Sequence, residues 1–309
     1  MRAVTRLLKR FLQLPADALI ASSKNLSRRI STSVMCDPRL HDKFYPYEAD
    51  QTSFILFKSS RENPDSRNKE LPVPPQDLWG GYGTTPEYFL NSGRVDVDRM
   101  NKILDSSGFR IQDGSRLLDF GCGAGRIMRW LVDIADRCEV WGVDISARHI
   151  IWCQEHLSPP FKFAAVTTSP HLPFEDGYFD LIYCGSVFTH IADLADAWLL
   201  ELKRIGRPGG RLYITVHDKH TADLVINRPE KVYSDGLPVD NGFRSSLLLY
   251  DKNQKFMSLN FKMFTMARGP ESQVFYDIDY LREHWGRILN VLSITPEAYG
   301  CQTAIVLGK

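Results

Sequence analysis

The segment Leu117-Leu118-Asp119-Phe120-Gly121-Cys122-Gly123-Ala124-Gly125-Arg126 constrains this chain more than any other. An apolar run ends beside an acid, and glycine then takes every second position before a helical pattern begins. The run reads as a buried strand. The alternating glycines read as a turn whose backbone can approach a ligand that any Cβ would keep away. From residue 115 the order strand, turn, helix repeats. Strands are predicted at 116–120, 139–143, 162–165, 179–184 and 211–216, with helices near 126–135, 147–156 and 192–205. Residues 207–210, Arg-Pro-Gly-Gly, form a turn into the last of these strands. This alternation predicts a parallel sheet with helices on both faces.

Outside that region the chain is less regular. Val4, Leu7, Leu8, Phe11 and Leu12 share one helical face, with Arg2, Arg6, Lys9 and Arg10 around the rest, and Pro15 ends the pattern. Residues 1–36 carry seven basic side chains against Asp17 alone, leaving the remainder of a +1 chain at −5. A basic amphipathic helix at 1–14 suits peripheral contact with an anionic membrane or a docking partner. In a eukaryotic source it suits part of an organellar transit peptide, and a poorly ordered terminus is the plainest reading. A possible strand lies at 54–57, a charged stretch at 61–70, and the stiff Leu71-Pro72-Val73-Pro74-Pro75 marks a boundary. Trp79-Gly80-Gly81-Tyr82-Gly83 makes an aromatic turn, and a helix is expected at 97–106. Beyond 216, turns are expected at Asp235-Gly236 and Asp240-Asn241-Gly242, a strand-like run at 256–266, a helix at 276–288 and closing strands at 289–294 and 304–307.

Composition narrows the class. No run of 18 apolar residues suggests a membrane span, and the acidic body gives no case for nucleic-acid binding. The six cysteines show no C-x-x-C pair, so no metal site is expected. Scattered cysteines in core-like segments fit a reducing, cytoplasmic setting.

The glycine spacing is D-x-G-x-G-x-G, whereas a dinucleotide fingerprint needs G-x-G-x-x-G. This form resembles motif I of class I S-adenosylmethionine-dependent methyltransferases. Four further segments follow in the order of that family. They are Asp144, 19 residues after Gly125; Leu172-Pro173-Phe174-Glu175-Asp176; the post-strand Ser186-Val187-Phe188-Thr189-His190-Ile191; and Arg207-Pro208-Gly209-Gly210. The resemblance covers residues 79–216 well and 275–309 fairly.

It implies an α/β, doubly wound, seven-stranded and mostly parallel sheet, the last strand antiparallel and inserted between five and six. An irregular extension precedes it. Residues 1–36 would be the basic segment and 37–78 a linker or cap. Residues 79–309 would be the methyltransferase domain, with an acceptor-side lid insertion at about 217–275. S-adenosylmethionine would be the cofactor. Asp119 would hold its ammonium, Gly121, Cys122, Gly123 and Gly125 would pass along its methionine and ribose, and Asp144 would take the ribose hydroxyls beside Ile145. Thr167 or Thr168 would meet the adenine where the family commonly has Asp or Asn, and Ser186 would flank the site. His190 is the candidate base, with helix packing as its structural alternative, and Tyr82, His217 and Asp218 are candidates on the acceptor side. The acceptor would be a small molecule, lipid or glycan. The competing readings are a catalytically silent interaction protein on the same fold and, disfavoured by the glycine spacing, a nicotinamide-dependent oxidoreductase.

Overall fold

The computed structural model of the protein describes residues 71–232, 242–266 and 272–309, with the backbone of two short strands ahead of them, β1 (Phe44–Pro46) and β2 (Phe54–Phe57). The expected helix at 1–14, the charged stretch 61–70 and the turn signals at 235–236 and 240–241 lie outside the described residues. The chain divides into two compact units, Met1–Tyr45 and Pro46–Lys309, and the features below belong to the second.

Its sheet contains β3 (Arg116–Phe120), β4 (Glu139–Asp144), β5 (Lys162–Val166), β6 (Phe179–Cys184), β7 (Gly206–Val216), β10 (Asn290–Tyr299) and β11 (Gln302–Gly308). These seven run in the spatial order β5-β4-β3-β6-β7-β11-β10. The pairs from β5 through β7 are parallel. β11 lies antiparallel to both β7 and β10, inserted between them as expected. β2 adds an antiparallel strand against β5, with Phe54 paired to Val166. The order reverses between β3 and β6, and in such sheets ligands bind beyond the carboxyl ends of the strands at the reversal. The sheet strands are buried because helices cover both faces: β3 reads exposed at Arg116 and buried for its other four residues. Leu118, Val143, Ile182, Leu199, Leu202, Ile214 and Trp285 belong to one apolar cluster. Burying each large aliphatic side chain contributes about 1.5–3 kcal/mol.

Several boundaries differ from expectation, each for a local reason. The helix expected at 97–106 is α1 (Pro86–Ser106). It starts eleven residues earlier because the Thr85 side chain caps Tyr88 N–H and Pro86 occupies the first helical position. The helix expected at 126–135 is a 3₁₀ turn at Met128–Leu131 followed by a single turn, α2 (Val132–Ala135). Met128 and Leu131 are buried, but the tight exit from the glycine turn leaves little room for a long helix. The turn at 207–210 is absorbed into β7, which starts at Gly206 and pairs with Phe179 before a register shift. The run 256–266 holds a 3₁₀ turn (Phe256–Ser258) and only a short strand, β8 (Met263–Met266). α3 (Ala147–His156) and β6 fall on their expected residues, and α4 (Ala195–Ile205) starts three residues late.

Residues 217–275 contain α5 (Lys219–Asn227), α6 (Pro229–Val232), α7 (Gly242–Gln254), β8 and most of β9 (Gln273–Tyr276). They have their own apolar cluster of Ala222, Val225, Leu247, Phe256, Met266 and Phe275. β9 ties this layer down: Val274 N–H donates to Thr189 O (2.8 Å), and Tyr276 N–H donates to His217 O (2.8 Å). α8 (Ile278–Gly286), capped by Asp277, then leads into β10.

Candidate active site

A cavity opens at the carboxyl ends of β3 and β6, at the reversal of strand order. Asp119, the glycine turn 121–124, Arg126 and Gly185 line it from the sheet side. Leu78, Trp79, Gly80 and Tyr82 line it from the segment ahead of α1, with Phe89, Ile127, His149 and Tyr299 completing the wall. Its volume is about 100 Å³, below the roughly 300–1,000 Å³ of typical small-molecule sites, because Trp79 and Tyr82 close over it. The closing segment is held by several contacts. Arg129 Nη2 donates to the carbonyls of Leu71 and Pro72, Trp79 Nε1 donates to Pro74 O, His149 Nε2 donates to Leu78 O, and Arg148 pairs with Asp77.

The three glycines of the turn do different work. All have positive φ, +86°, +51° and +73° at Gly121, Gly123 and Gly125. A Cβ on Gly121 would lie 2.3 Å from Val187, and one on Gly125 would lie 2.4 Å from Leu157. Those two positions are filled by the protein's own packing. At Gly123 a Cβ would meet nothing within 4 Å, so only there does the bare backbone face open space.

The acids at the strand ends are equally distinct. Asp119 is 3% exposed; its Oδ2 and the hydroxyl of neighbouring Tyr183 are both buried without a well-formed hydrogen bond, although Tyr183 is close enough to draw the Asp119 pKa down. Burial, with the charge of Asp144 adding to it, pushes the Asp119 carboxyl well above the usual range. Asp144 accepts from Gly123 N–H (2.8 Å) through Oδ2 and from Ser146 N–H (2.7 Å) through Oδ1. Ser146 caps α3 through His149 N–H, so capping does not consume Asp144, and its carboxylate is tied to the open glycine. Ile145 beside it is 64% exposed, an apolar face presented outward. Thr167 and Thr168 are exposed at the end of β5, where the Thr167 hydroxyl accepts from Ser169 N–H. Cys122 is buried, and its Sγ donates weakly to Gly123 O.

Arg126, directly after the turn, is 5% exposed. Its Nη2 donates to Asp96 (2.7 Å) and to the Tyr299 hydroxyl, and Nη1 donates to Ser92 Oγ (3.1 Å). The Tyr82 ring stacks on the guanidinium at 3.8 Å, with Tyr299 at 5.2 Å. Burial pulls the Arg126 pKa down, yet its contacts with Tyr299, Tyr82 and Asp96 hold it above the ordinary value.

On the other side of β6, the candidates are mostly engaged within the protein. Ser186 has φ +59°, donates its N–H to Thr215 Oγ1 (2.8 Å) and accepts at Oγ from Gln302 Nε2 (2.9 Å). Asp218 is spent: Oδ1 caps Thr221 N–H and Oδ2 accepts from Thr303. His190 Nδ1 donates to Ser272 O (2.8 Å), and Ser272 Oγ donates back to His190 O (3.2 Å). That fixes the ring tautomer and leaves the lone pair on Nε2. His217 is stacked between Phe243 and Phe275 at 5.1 and 5.2 Å. Its Nε2 donates to Gln273 Oε1, and its buried Nδ1 has no partner. Burial, assisted by nearby His190, pushes its pKa down to about 3, so it is neutral near pH 7.

Of the residues singled out from sequence, Asp119, Gly121, Cys122, Gly123 and Tyr82 line the cavity. Gly125, Asp144, Ile145, Thr167, Thr168, Ser186, His190, His217 and Asp218 lie outside its lining. Arg126, His149, Gly185 and Tyr299 line it without having been singled out. Arg126 carried a usable signal, a charge inside an otherwise buried turn; Tyr299, 173 residues from its partner Arg126, carried none.

Residues 118–214 match a family model described as "Methyltransferase domain". With its glycine turn, the acids at the ends of β3 and β4 and the inserted antiparallel strand, this methyltransferase domain is similar to those of the class I S-adenosylmethionine-dependent methyltransferases. It is similar to Methyltransferase GfsG of Streptomyces halstedii, 31% identical over 154 residues, 47% of this chain and 50% of that protein. It is also similar to the demethylmenaquinone methyltransferase of Lactiplantibacillus plantarum, 30% identical over 136 residues, 38% of this chain and 56% of that protein. The chain thus spans about half the length of the curated relatives it matches. A solved S-adenosylmethionine-dependent methyltransferase from Clostridium acetobutylicum aligns with 12% identity and a TM-score of 0.46, covering 70% of this chain and 91% of that one.

Proposed function

We propose that this protein transfers a methyl group from S-adenosylmethionine to a small-molecule acceptor. The observation that carries the reading is the buried, unpartnered Asp119 Oδ2 lining the cavity beside the one glycine of the turn whose Cβ position is open. A buried acid without a partner is costly, and a ligand ammonium is the group that would satisfy it. The donor set fits the cofactor. Asp119 would accept from its ammonium, Asp144 from its ribose hydroxyls, and Ile145 with Thr167 or Thr168 would border its adenine. When bound, S-adenosylmethionine supplies a sulfonium-activated methyl group. The protein's part is then chiefly to orient the reactants and exclude water, and Trp79 and Tyr82 are placed for the second task. On the acceptor side His190 offers Nε2 as the atom to take a proton from an acceptor hydroxyl, while neutral His217 and Ser186 offer polar contacts.

The name of the demethylmenaquinone methyltransferase supports a low-molecular-weight acceptor. Glycan or lipid acceptors, and contact of residues 1–14 with a membrane, are alternative outcomes of an acceptor screen with labelled methyl donor. The direct test is isothermal titration with S-adenosylhomocysteine. Wild-type protein is expected to bind it, and Gly123→Arg or Asp144→Ala to weaken binding by about 100-fold, the worth of two charge-assisted hydrogen bonds. No heat and no thermal shift with wild-type protein would overturn the reading.

A further inference from the structure

The thiols of Cys122 and Cys153 take no part in the proposed chemistry, yet the fold brings them together. Cys122 lies in the glycine turn and Cys153 on α3, and they are 5% and 0% exposed. Each Sγ donates to the same acceptor, the carbonyl oxygen of Gly123, at 3.6 Å from Cys122 and 3.5 Å from Cys153. The two sulfurs are also within hydrogen-bond reach of each other. Gly142 of β4 makes room for them, since a Cβ there would lie 2.9 Å from Cys122 Sγ. Cys138, by contrast, donates away from the pair, to Gln112 O.

The two thiols differ in access. Cys122 lines the cavity, and Cys153 is outside the lining. A cavity of about 100 Å³ admits only small reagents, since one water takes about 30 Å³ of liquid. Burial, and then the contact with Cys153, pushes the Cys122 thiol well above its usual range, with the charges of Asp144 and Asp119 adding to it. A charged thiolate is disfavoured at this place, whereas a disulfide carries no charge.

We propose that Cys122 and Cys153 are a redox pair that a small peroxide converts to a disulfide, stapling the glycine turn to α3 and weakening cofactor binding. The Cys122 thiolate attacks one oxygen of hydrogen peroxide and the O–O bond breaks. Cys122 becomes a sulfenic acid, and the hydroxide released takes up the thiol proton to leave as water. The Cys153 sulfur then attacks the Cys122 sulfur and the S–O bond breaks. That oxygen leaves as a second water with the Cys153 proton, so two thiols are oxidised and one peroxide is reduced. In the disulfide the sulfurs lie about 2.05 Å apart, and both S–H bonds to Gly123 O are lost. The turn then shifts at the glycine that faces open space, where Gly123 N–H also holds Asp144 (2.8 Å). The effect on binding rests on the cofactor reading above; formation of the bond does not.

The test treats the full chain with a small molar excess of hydrogen peroxide, alkylates the remaining thiols and digests with trypsin. Cys122 and Cys153 fall in separate peptides, residues 117–126 and 149–162. Mass spectrometry is expected to find these two joined, less two hydrogens, in most of the protein, and to find them joined faster as pH rises, because the thiolate is the attacking form. The oxidised protein is expected to bind S-adenosylhomocysteine about tenfold more weakly, the worth of one hydrogen bond such as that from Gly123 to Asp144, and dithiothreitol to restore the affinity. Cys153→Ala lacks the second thiol. It is expected to give no joined peptide and to carry peptide 117–126 as a sulfinic acid that dithiothreitol does not reverse. If that variant does not fold, the wild-type peptides still decide. Recovery of the two wild-type peptides separate, or joined to other cysteines, overturns the proposal, and so does a joined protein with unchanged affinity. Reduced wild-type protein that binds no S-adenosylhomocysteine overturns the cofactor reading instead, and the joined peptide still decides whether the redox pair exists.

Discussion

The two halves of the carboxyl edge treat their polar groups in opposite ways. On the β3–β4 side, Asp119 Oδ2 and His149 Nδ1 are buried beside the cavity with no partner in the protein. On the β6–β7 side, Ser186, Thr215 and Gln302 form a closed hydrogen-bonded network, Asp218 caps a helix, and His190 is locked to Ser272. Among the described residues, His217 Nδ1 and the Tyr183 hydroxyl of β6 break that pattern. Unsatisfied buried groups cost free energy, and under the proposed function a ligand would satisfy those of the first half. The second half spends its polar groups on fixing the 217–275 layer to the sheet.

The largest expected effect tests the division of labour inside the glycine turn. Gly121→Val places a side chain against Val187 at a positive φ. It should destabilise the fold by about 3 kcal/mol or more, read by urea or thermal denaturation. Gly123→Ala meets no neighbour and should cost about 1 kcal/mol for its backbone alone, yet still weaken S-adenosylhomocysteine binding. Equal stability losses in the two variants would erase the distinction.

Asp119→Asn should separate stability from binding. Because burial raises the native pKa of Asp119, its contribution to stability is fully present below the unfolded value of about 3.9 and is lost as pH rises through the native value. The ligand-free variant should therefore match or exceed wild type in stability at pH 7, while its affinity for S-adenosylhomocysteine falls sharply. A variant that is clearly less stable at pH 7 would mean that Asp119 is satisfied without a ligand.

The smallest effect belongs to the β6–β7 half. His217 has a native pKa near 3 against about 6.5 unfolded. The unfolded chain thus binds the extra proton between those values, and stability from this group falls as pH drops through that window. His217→Phe should flatten the decline in denaturation midpoint between pH 6.5 and 4 and leave S-adenosylhomocysteine affinity unchanged. An unaltered slope would show that His217 is already protonated in the folded state.

Much of the cofactor half was legible because its signals are local. Strand, turn and acid lie within a few residues of one another, and the 2.0 and 3.6 periodicities mark which faces are buried. α3 and β6 were placed on their residues for that reason. α1 was cut short because its first half, Pro86 to Asp96, reads as polar; its buried face there consists of Phe89, Gly93 and Asp96, and two of those three bury only because Arg126 packs against them. A Cβ at Gly93 would lie 2.5 Å from Arg126 O, and Asp96 is the Arg126 ion-pair partner. Asp218 looked available in sequence because nothing local shows that Thr303, 85 residues away on the neighbouring strand β11, will claim its second oxygen.

The sequence by itself therefore determined the sheet, the glycine turn and the acids at the strand ends, since each follows from short-range spacing. The tertiary structure decided which glycine faces open space, that Arg126 sits in a buried cage of Tyr82, residues of α1 and Tyr299 at the end of β10, and that His190 is oriented by a residue 82 positions away. Those outcomes depend on contacts between distant segments, where the energy of a buried charge or an occupied Cβ position is set by neighbours that no local pattern encodes.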